Sequence, residues 1–242
     1  MFTIRIAQLN ICIDNKFDYI EKLCRDYIVQ DEDVDFEVSA SESEIEQQHK
    51  LFSVKVSDGY SEGICLSKKV YDKILDFDAL FLHASVVDVD GRSYAFSAPS
   101  GTGKSTHTNL WLKHFGDRAR IVNGDKPVLR FFEDKIMAYG APWCGKEYLH
   151  SVNSSKLSAI CFIERSPTNS IRRANSDEVI ERLFEQVLRP HEAERMDITL
   201  KLMDRLICMI PCYIFCCNIS DEAVTVAYEA MKSGEGDKNN EA

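Results

Sequence analysis

The run Tyr94-Ala-Phe-Ser-Ala98-Pro-Ser-Gly-Thr-Gly-Lys104-Ser-Thr106 joins a β-rich segment to a glycine-bearing turn and the opening of a helix. Such a turn is suited to holding phosphate. Its backbone N–H groups and the positive helix end face an anion, the Lys104 amine reaches the terminal phosphates, and the Ser105 hydroxyl suits Mg²⁺. The pattern is G-x-x-x-x-G-K-S/T with Ala98 in the first place, and it assigns Ser100, Gly101, Thr102, Gly103, Lys104, Ser105 and Thr106 to a nucleoside triphosphate, ATP or GTP. His107 lies at the same helix end, where the dipole favours a neutral imidazole, so hydrogen bonding is its expected role there.

Phosphoryl transfer rests on positioning and charge neutralisation, so a carboxylate beyond the turn is required. Asp125 is the candidate. It follows the apolar run Ala119 to Asn123, and Gly124 lets the backbone approach a ligand. A second candidate, His83, comes from pairing. Leu82 to Val89 and Arg92 to Ala98 flank Asp90-Gly91, the dipeptide of two-residue type I′ hairpins. That register sets Val89 against Arg92, Val87 against Tyr94 and Ser85 against Phe96, and carries His83 opposite Ala98. Tyr139 to Glu147 reads as a second binding loop, in which Trp143 offers a stacking surface and Lys146 a cation. Arg165 ends an apolar strand and supplies a further cation. Structural readings compete for each residue: a strand histidine satisfied inside the fold, an ordinary turn at Asn123-Gly-Asp, a plain surface loop.

The elements that must position these groups alternate between strand and helix patterns. Residues 1–66 read as a small α+β unit, 67–232 as a mixed α/β nucleotide domain, and 233–242 as a disordered polar tail. The N-terminal unit has strands at 2–6, 10–13 and 35–39 and a helix over 17–29. A helix over 67–77 leads into a strand over 80–87. Further helices fall at 105–115, 177–188, 192–208 and 221–231, with strands at 156–164 and 213–217. No Pro/Gly-rich linker divides the two parts, so they are expected to pack together.

The set LHASVV, APSGTGKSTHT, VNGDKP and YGAPWCGK resembles the HPr kinase and phosphoenolpyruvate carboxykinase superfamily, and more nearly its small HPr-kinase-related bacterial members, over about residues 80–165. The resemblance implies a carboxykinase-like domain with a mixed sheet, and phosphoryl transfer to a hydroxyl, which in HPr kinase is a protein serine. HPr kinases carry two adjacent aspartates where this chain has Gly124 and Asp125. One carboxylate then faces two tasks. Either Asp125 holds Mg²⁺ while His83 takes the acceptor proton, or Asp125 is the base while Ser105 and water hold the metal.

The 242 residues and 45% hydrophobic content support a substantial core. A net charge of −10 without a dense basic run argues against nucleic-acid and anionic-membrane partners. The longest apolar stretch, 206–217, is interrupted by Pro211, and the N-terminus lacks a basic-then-apolar leader, so a cytoplasmic protein is expected. Most of the nine cysteines sit in apolar runs and are expected to be buried thiols, with Cys144 exposed in its loop. Three functions compete: a kinase acting on a serine hydroxyl of a protein, peptide or small molecule; a nucleotide sensor with reduced catalysis; and carboxykinase-type decarboxylation. The last ranks lowest, because the chain lacks room for a dedicated substrate domain.

Overall fold

The computed structural model describes residues 1–30, 33–145, 147–190 and 192–233. The tail expected from 233 therefore lies outside the described residues, apart from Ser233 at the end of the last helix.

Strands β1 (Phe2–Ile6), β2 (Leu9–Asp14), β3 (Ile28–Val29) and β4 (Phe36–Ser39) form a small sheet in the order β3-β1-β2-β4. Helices α1 (Asp18–Cys24), α2 (Glu42–Lys50) and α3 (Asp58–Lys73) accompany it. The helix expected over 17–29 is shorter, because Arg25–Tyr27 tightens into a 3₁₀ turn and Ile28-Val29 peels off to pair with β1. Ser41 and Glu44 form a reciprocal capping box, which starts α2 by satisfying two otherwise orphaned donors. α3 starts well before the expected Ser67, since Ser57 caps it by accepting from the Tyr60 N–H. The expected boundary at residue 66 thus falls inside a continuous helix.

The large sheet has nine strands among the described residues. They are β5 (Ala79–Phe81), β6 (Ala84–Val89), β7 (Arg92–Ser97), β8 (Ala119–Asn123), β9 (Val128–Phe131), β10 (Ile136–Tyr139), β11 (Ser154–Arg165), β12 (Ser170–Arg173) and β13 (Cys212–Cys217). β11 is the axis. It runs parallel to β7 on one edge, and on the other it pairs antiparallel with β10 and then parallel with β13. Its apolar run Leu157 to Ile163 is buried on both faces, as a strand covered by helices on each side requires.

Helices α5 (Ser176–Gln186) and α6 (Ala193–Met209) cover one face through Leu183, Leu202 and Leu206. Helices α4 (Lys104–Phe115) and α7 (Asp221–Ser233) cover the other through Trp111, Val224 and Met231. Each such large apolar side chain contributes about 1.5–3 kcal/mol when fully buried. The N-terminal unit has no separate core. Ile4, Leu66 and Tyr71 cluster with Phe81, Val128 and Trp143 of the larger part, so the two units share one apolar interior. Mixed pairing within an α/β framework agrees with the expected fold class. Among the described residues no helix is long and apolar enough to cross a membrane.

Candidate active site

The β6–β7 hairpin delivers the chain into the glycine turn. Asp90 and Gly91 both take positive φ, 53° and 83°, the type I′ conformation whose twist matches the strands. Val89 opposes Arg92, Val87 opposes Tyr94 and Ser85 opposes Phe96. The ladder closes at Ala84 and Ser97, one pair short of the expected His83–Ala98 opposition. The segment expected as one strand over 80–87 is in fact two, because β5 pairs with β9 whereas β6 pairs with β7 and β8. His83 occupies the break. Its N–H donates to the Gln186 carbonyl at 2.8 Å, and its carbonyl accepts from Ser97 Oγ at 2.9 Å.

After Ala98 the turn passes through Gly101 (φ 81°) and Gly103 (φ 119°), conformations that disfavour any side chain. A Cβ at either glycine would meet nothing within 4 Å, so the space over the turn is open. Gly103 is the N-cap of α4 and no side chain caps that end, which leaves the first-turn donors of the helix without a side-chain acceptor. Lys104 is buried and its Nζ donates to the Ala98 carbonyl at 2.8 Å, bridging the two ends of the turn. Burial pushes the Lys104 amine below its usual range, and the nearby Asp125 carboxylate opposes that shift. Thr108 Oγ1 lies 3.0 Å from Ser85 Oγ and ties α4 to the hairpin. Ser105 is half-buried, while Ser100 and Thr106 are exposed.

Asp125 follows β8 in a tight turn organised by Asn123. The fully buried Asn123 accepts from the Asp125 N–H at 2.9 Å and the Lys126 N–H at 2.7 Å, and its own amide donates to the Ala141 carbonyl. Gly124 donates to the Leu149 carbonyl at 2.8 Å. A Cβ at Gly124 would lie 3.3 Å from the Cys144 carbonyl oxygen and 3.3 Å from Leu149, so the loop over 142–149 crowds the place of a side chain. A side chain at this position would therefore require Cys144 or Leu149 to shift slightly.

Two side chains converge on the carboxylate. His83 Nε2 is 3.2 Å from Asp125 Oδ1, and Lys126 Nζ bonds to Oδ2. The other ring nitrogen, Nδ1, lies 2.8 Å from Gln186 Oε1. Nε2 facing an ionised carboxylate carries a proton, so Nδ1 either donates to the Gln186 oxygen or accepts from its amide turned over. Burial pushes the Asp125 carboxyl up, but hydrogen bonds from His83 and Lys126 outweigh it and hold the group well below the usual carboxylate range. The Ala84 N–H donates to the Asp125 carbonyl at 3.0 Å, so the strand break and the Asp125 turn are stitched together by backbone as well as side chains.

Other expectations need correction. Arg165 is not a free cation over the turn: its Nε donates to the Thr102 carbonyl at 2.9 Å and its Nη2 to the Gly101 carbonyl. It orients the turn and turns no charge toward a ligand in this arrangement. His107 is a core residue. Its ring packs against Phe96 and Phe215, its Nε2 accepts from Trp111 Nε1 at 3.0 Å, and burial lowers it to about 4. Trp143 is no exposed platform either, since it is 9% exposed and meets Tyr71 and Phe81 edge-on. Cys144 is buried rather than exposed, and burial pushes its thiol up to about 11. Lys146 lies outside the described residues.

Sequence reasoning missed Gln186, Asn123 and Lys126 as parts of the site. Lys126 was legible as the neighbour of Asp125. Gln186, at the end of α5 and about 100 residues from His83 along the chain, left no local signal.

No family model matches the chain, and no curated protein matches it. Among solved structures the chain is similar to the HPr(Ser) kinase/phosphatase from Coxiella burnetii, at 12% identity and a TM-score of 0.36, over 64% of this chain and 99% of that one. The likeness is too slight to assign the chain to that family.

Proposed function

We propose that the chain is an ATP- or GTP-dependent phosphotransferase that moves a terminal phosphoryl group to a hydroxyl. The observation carrying this reading is a buried Lys104 that donates across an uncapped glycine turn, with the Asp125 carboxylate among the charges that act on it. The open space over Gly101 and Gly103 fits phosphate, and the Lys104 Nζ, now on a backbone carbonyl, is free to exchange that bond for a phosphate oxygen.

Asp125 is the group that accepts the acceptor's hydroxyl proton. Both ring nitrogens of His83 are engaged, by Asp125 and Gln186, so His83 positions the carboxylate and has no free nitrogen for the acceptor. A carboxylate held this far below its usual range is a weak base. In a loose phosphoryl transfer the proton leaves late, and orientation of the hydroxyl matters more than basicity. Ser105 is the side chain suited to Mg²⁺ beside the phosphates, where the ion would neutralise charge between the β- and γ-oxygens.

Labelled nucleotide with Mg²⁺ and hydroxyl acceptors tests the proposal: Lys104→Ala should lower transfer by about 10²–10³-fold. Transfer unchanged in that variant would remove the reading. A second reading, a nucleotide sensor with reduced catalysis, is favoured by the glycine at 124, which leaves Asp125 as a single carboxylate there. Wild-type hydrolysis well above that of Asp125→Asn excludes the sensor.

A further inference from the structure

Beside Asp125 lies a half-open cavity of about 750 Å³ between the N-terminal unit and the loop that follows β10. Tyr19 of α1, Ile64 and Tyr71 of α3, and Trp143 form its walls, while Asp125 and Lys126 close one end. The exposed Tyr148 and Leu188 stand at its rim. Aromatic and aliphatic walls with a few polar tips describe a pocket for an apolar body carrying a small number of polar groups.

Two further features narrow the ligand. Charges at the edge are already engaged: Lys68 donates to Gln48 Oε1 at 2.7 Å, Asp72 lies 3.3 Å from Arg195, and Lys126 holds Asp125. Arg189 and Glu192 add one charge of each sign, so the lining does not select an anion or a cation. Trp143 lines the cavity together with Tyr19 and Tyr71, so the wall is aromatic and suits an aryl group.

We propose that this cavity is the acceptor site, and that the acceptor is a small, uncharged, largely apolar molecule bearing a hydroxyl, bound with the hydroxyl toward Asp125. The assignment rests on the phosphotransferase reading and adds the substrate class. The acceptor oxygen forms the new bond to the γ-phosphorus, the bond from that phosphorus to the β,γ-bridging oxygen breaks, and the nucleoside diphosphate leaves with the electron pair. The hydroxyl proton passes to the Asp125 carboxylate and then to water. A cleft of this volume with largely apolar walls takes a drug-sized molecule.

The full chain is titrated by calorimetry with 2-(2-naphthyl)ethanol, and separately with ATP and Mg²⁺. Two variants accompany it: Ile64→Trp, which fills the cavity, and Leu188→Asp, at an exposed rim position that carries little folding risk. The alcohol should bind the wild type saturably and at least tenfold more weakly to both variants, with nucleotide affinity unchanged within about twofold. The wild type with ATP should form the naphthylethyl phosphate ester. Binding of the alcohol equal in all three proteins, no saturable binding of it or of two further aryl alcohols, or a serine peptide phosphorylated equally by all three would overturn the acceptor site. So would bound alcohol and bound nucleotide without ester. Failure of the wild type to bind any nucleotide is a separate result, which removes the kinase reading and the acceptor role with it.

Discussion

His83 Nε2 sits 3.2 Å from Asp125 Oδ1, at the point where one strand ends and the next begins. The two residues are 42 positions apart, yet backbone hydrogen bonds on either side of His83 hold their spacing: its own N–H to Gln186 and the Ala84 N–H to Asp125. Carboxylate, imidazole and amide thus form a chain ending on α5, so the charge that faces Lys104 is aimed by an element with no other part in the site. The consequences can be measured.

Gln186→Leu keeps the volume near His83 but removes the side-chain partner of Nδ1. Transfer should fall by about 10–100-fold through kcat, as the loss of an orienting partner does, with the nucleotide KM little changed. The pH–rate profile should shift as well, which a purely structural defect would not produce. An unaltered profile and rate would show that Gln186 does not position the pair.

Arg165→Ala frees the Gly101 and Thr102 carbonyls from their guanidinium clamp. The turn then has to be ordered by the nucleotide itself. Binding should weaken by about tenfold, with a smaller effect on kcat, because the lost term is preorganisation. Equal nucleotide affinity by titration would instead make Arg165 incidental.

His107 is held neutral by burial, with a folded value of about 4 against about 6.5 unfolded. A group depressed in the fold contributes stability above its unfolded value and loses it as pH falls toward the folded one. Wild-type stability should therefore drop by roughly 3 kcal/mol between pH 6.5 and 4 on this account alone. His107→Gln, which still offers Trp111 an acceptor, should flatten the slope in denaturant titrations across that window.

Gly124→Asp introduces a second carboxylate beside Asp125, where a Cβ lies 3.3 Å from the Cys144 carbonyl oxygen and 3.3 Å from Leu149. We expect a loss of about 1–3 kcal/mol from overpacking, and no gain in turnover. Faster transfer in this variant would mean that the turn can open to admit metal-binding chemistry here.

The strand, glycine turn and helix in that order, and the hairpin register as far as Ala84 and Ser97, were legible from residue order alone. Each depends on short-range rules: type I′ geometry demands Asp-Gly, left-handed turns demand glycine, and period-two alternation sets cross-strand neighbours. Helix α4 and strand β11 were placed for the same reason, their patterns being long and locally consistent. The break between β5 and β6 was not, because a continuous β-rich run over 79–89 carries no mark of which partner strand each half will find.

Tertiary structure alone decided the fate of His107, Trp143, Cys144 and Arg165. A helix-end histidine faces phosphate or core according to which side of α4 the sheet covers. A loop tryptophan is platform or wall according to whether α3 packs beside it, and an arginine at a strand end meets ligand or backbone according to what lies opposite. These are questions of long-range contact, on which neighbouring residue types are silent. The same holds for the cavity beside Asp125, whose two sides come from segments more than a hundred residues apart and exist as one surface only because the N-terminal unit shares its core with the large sheet.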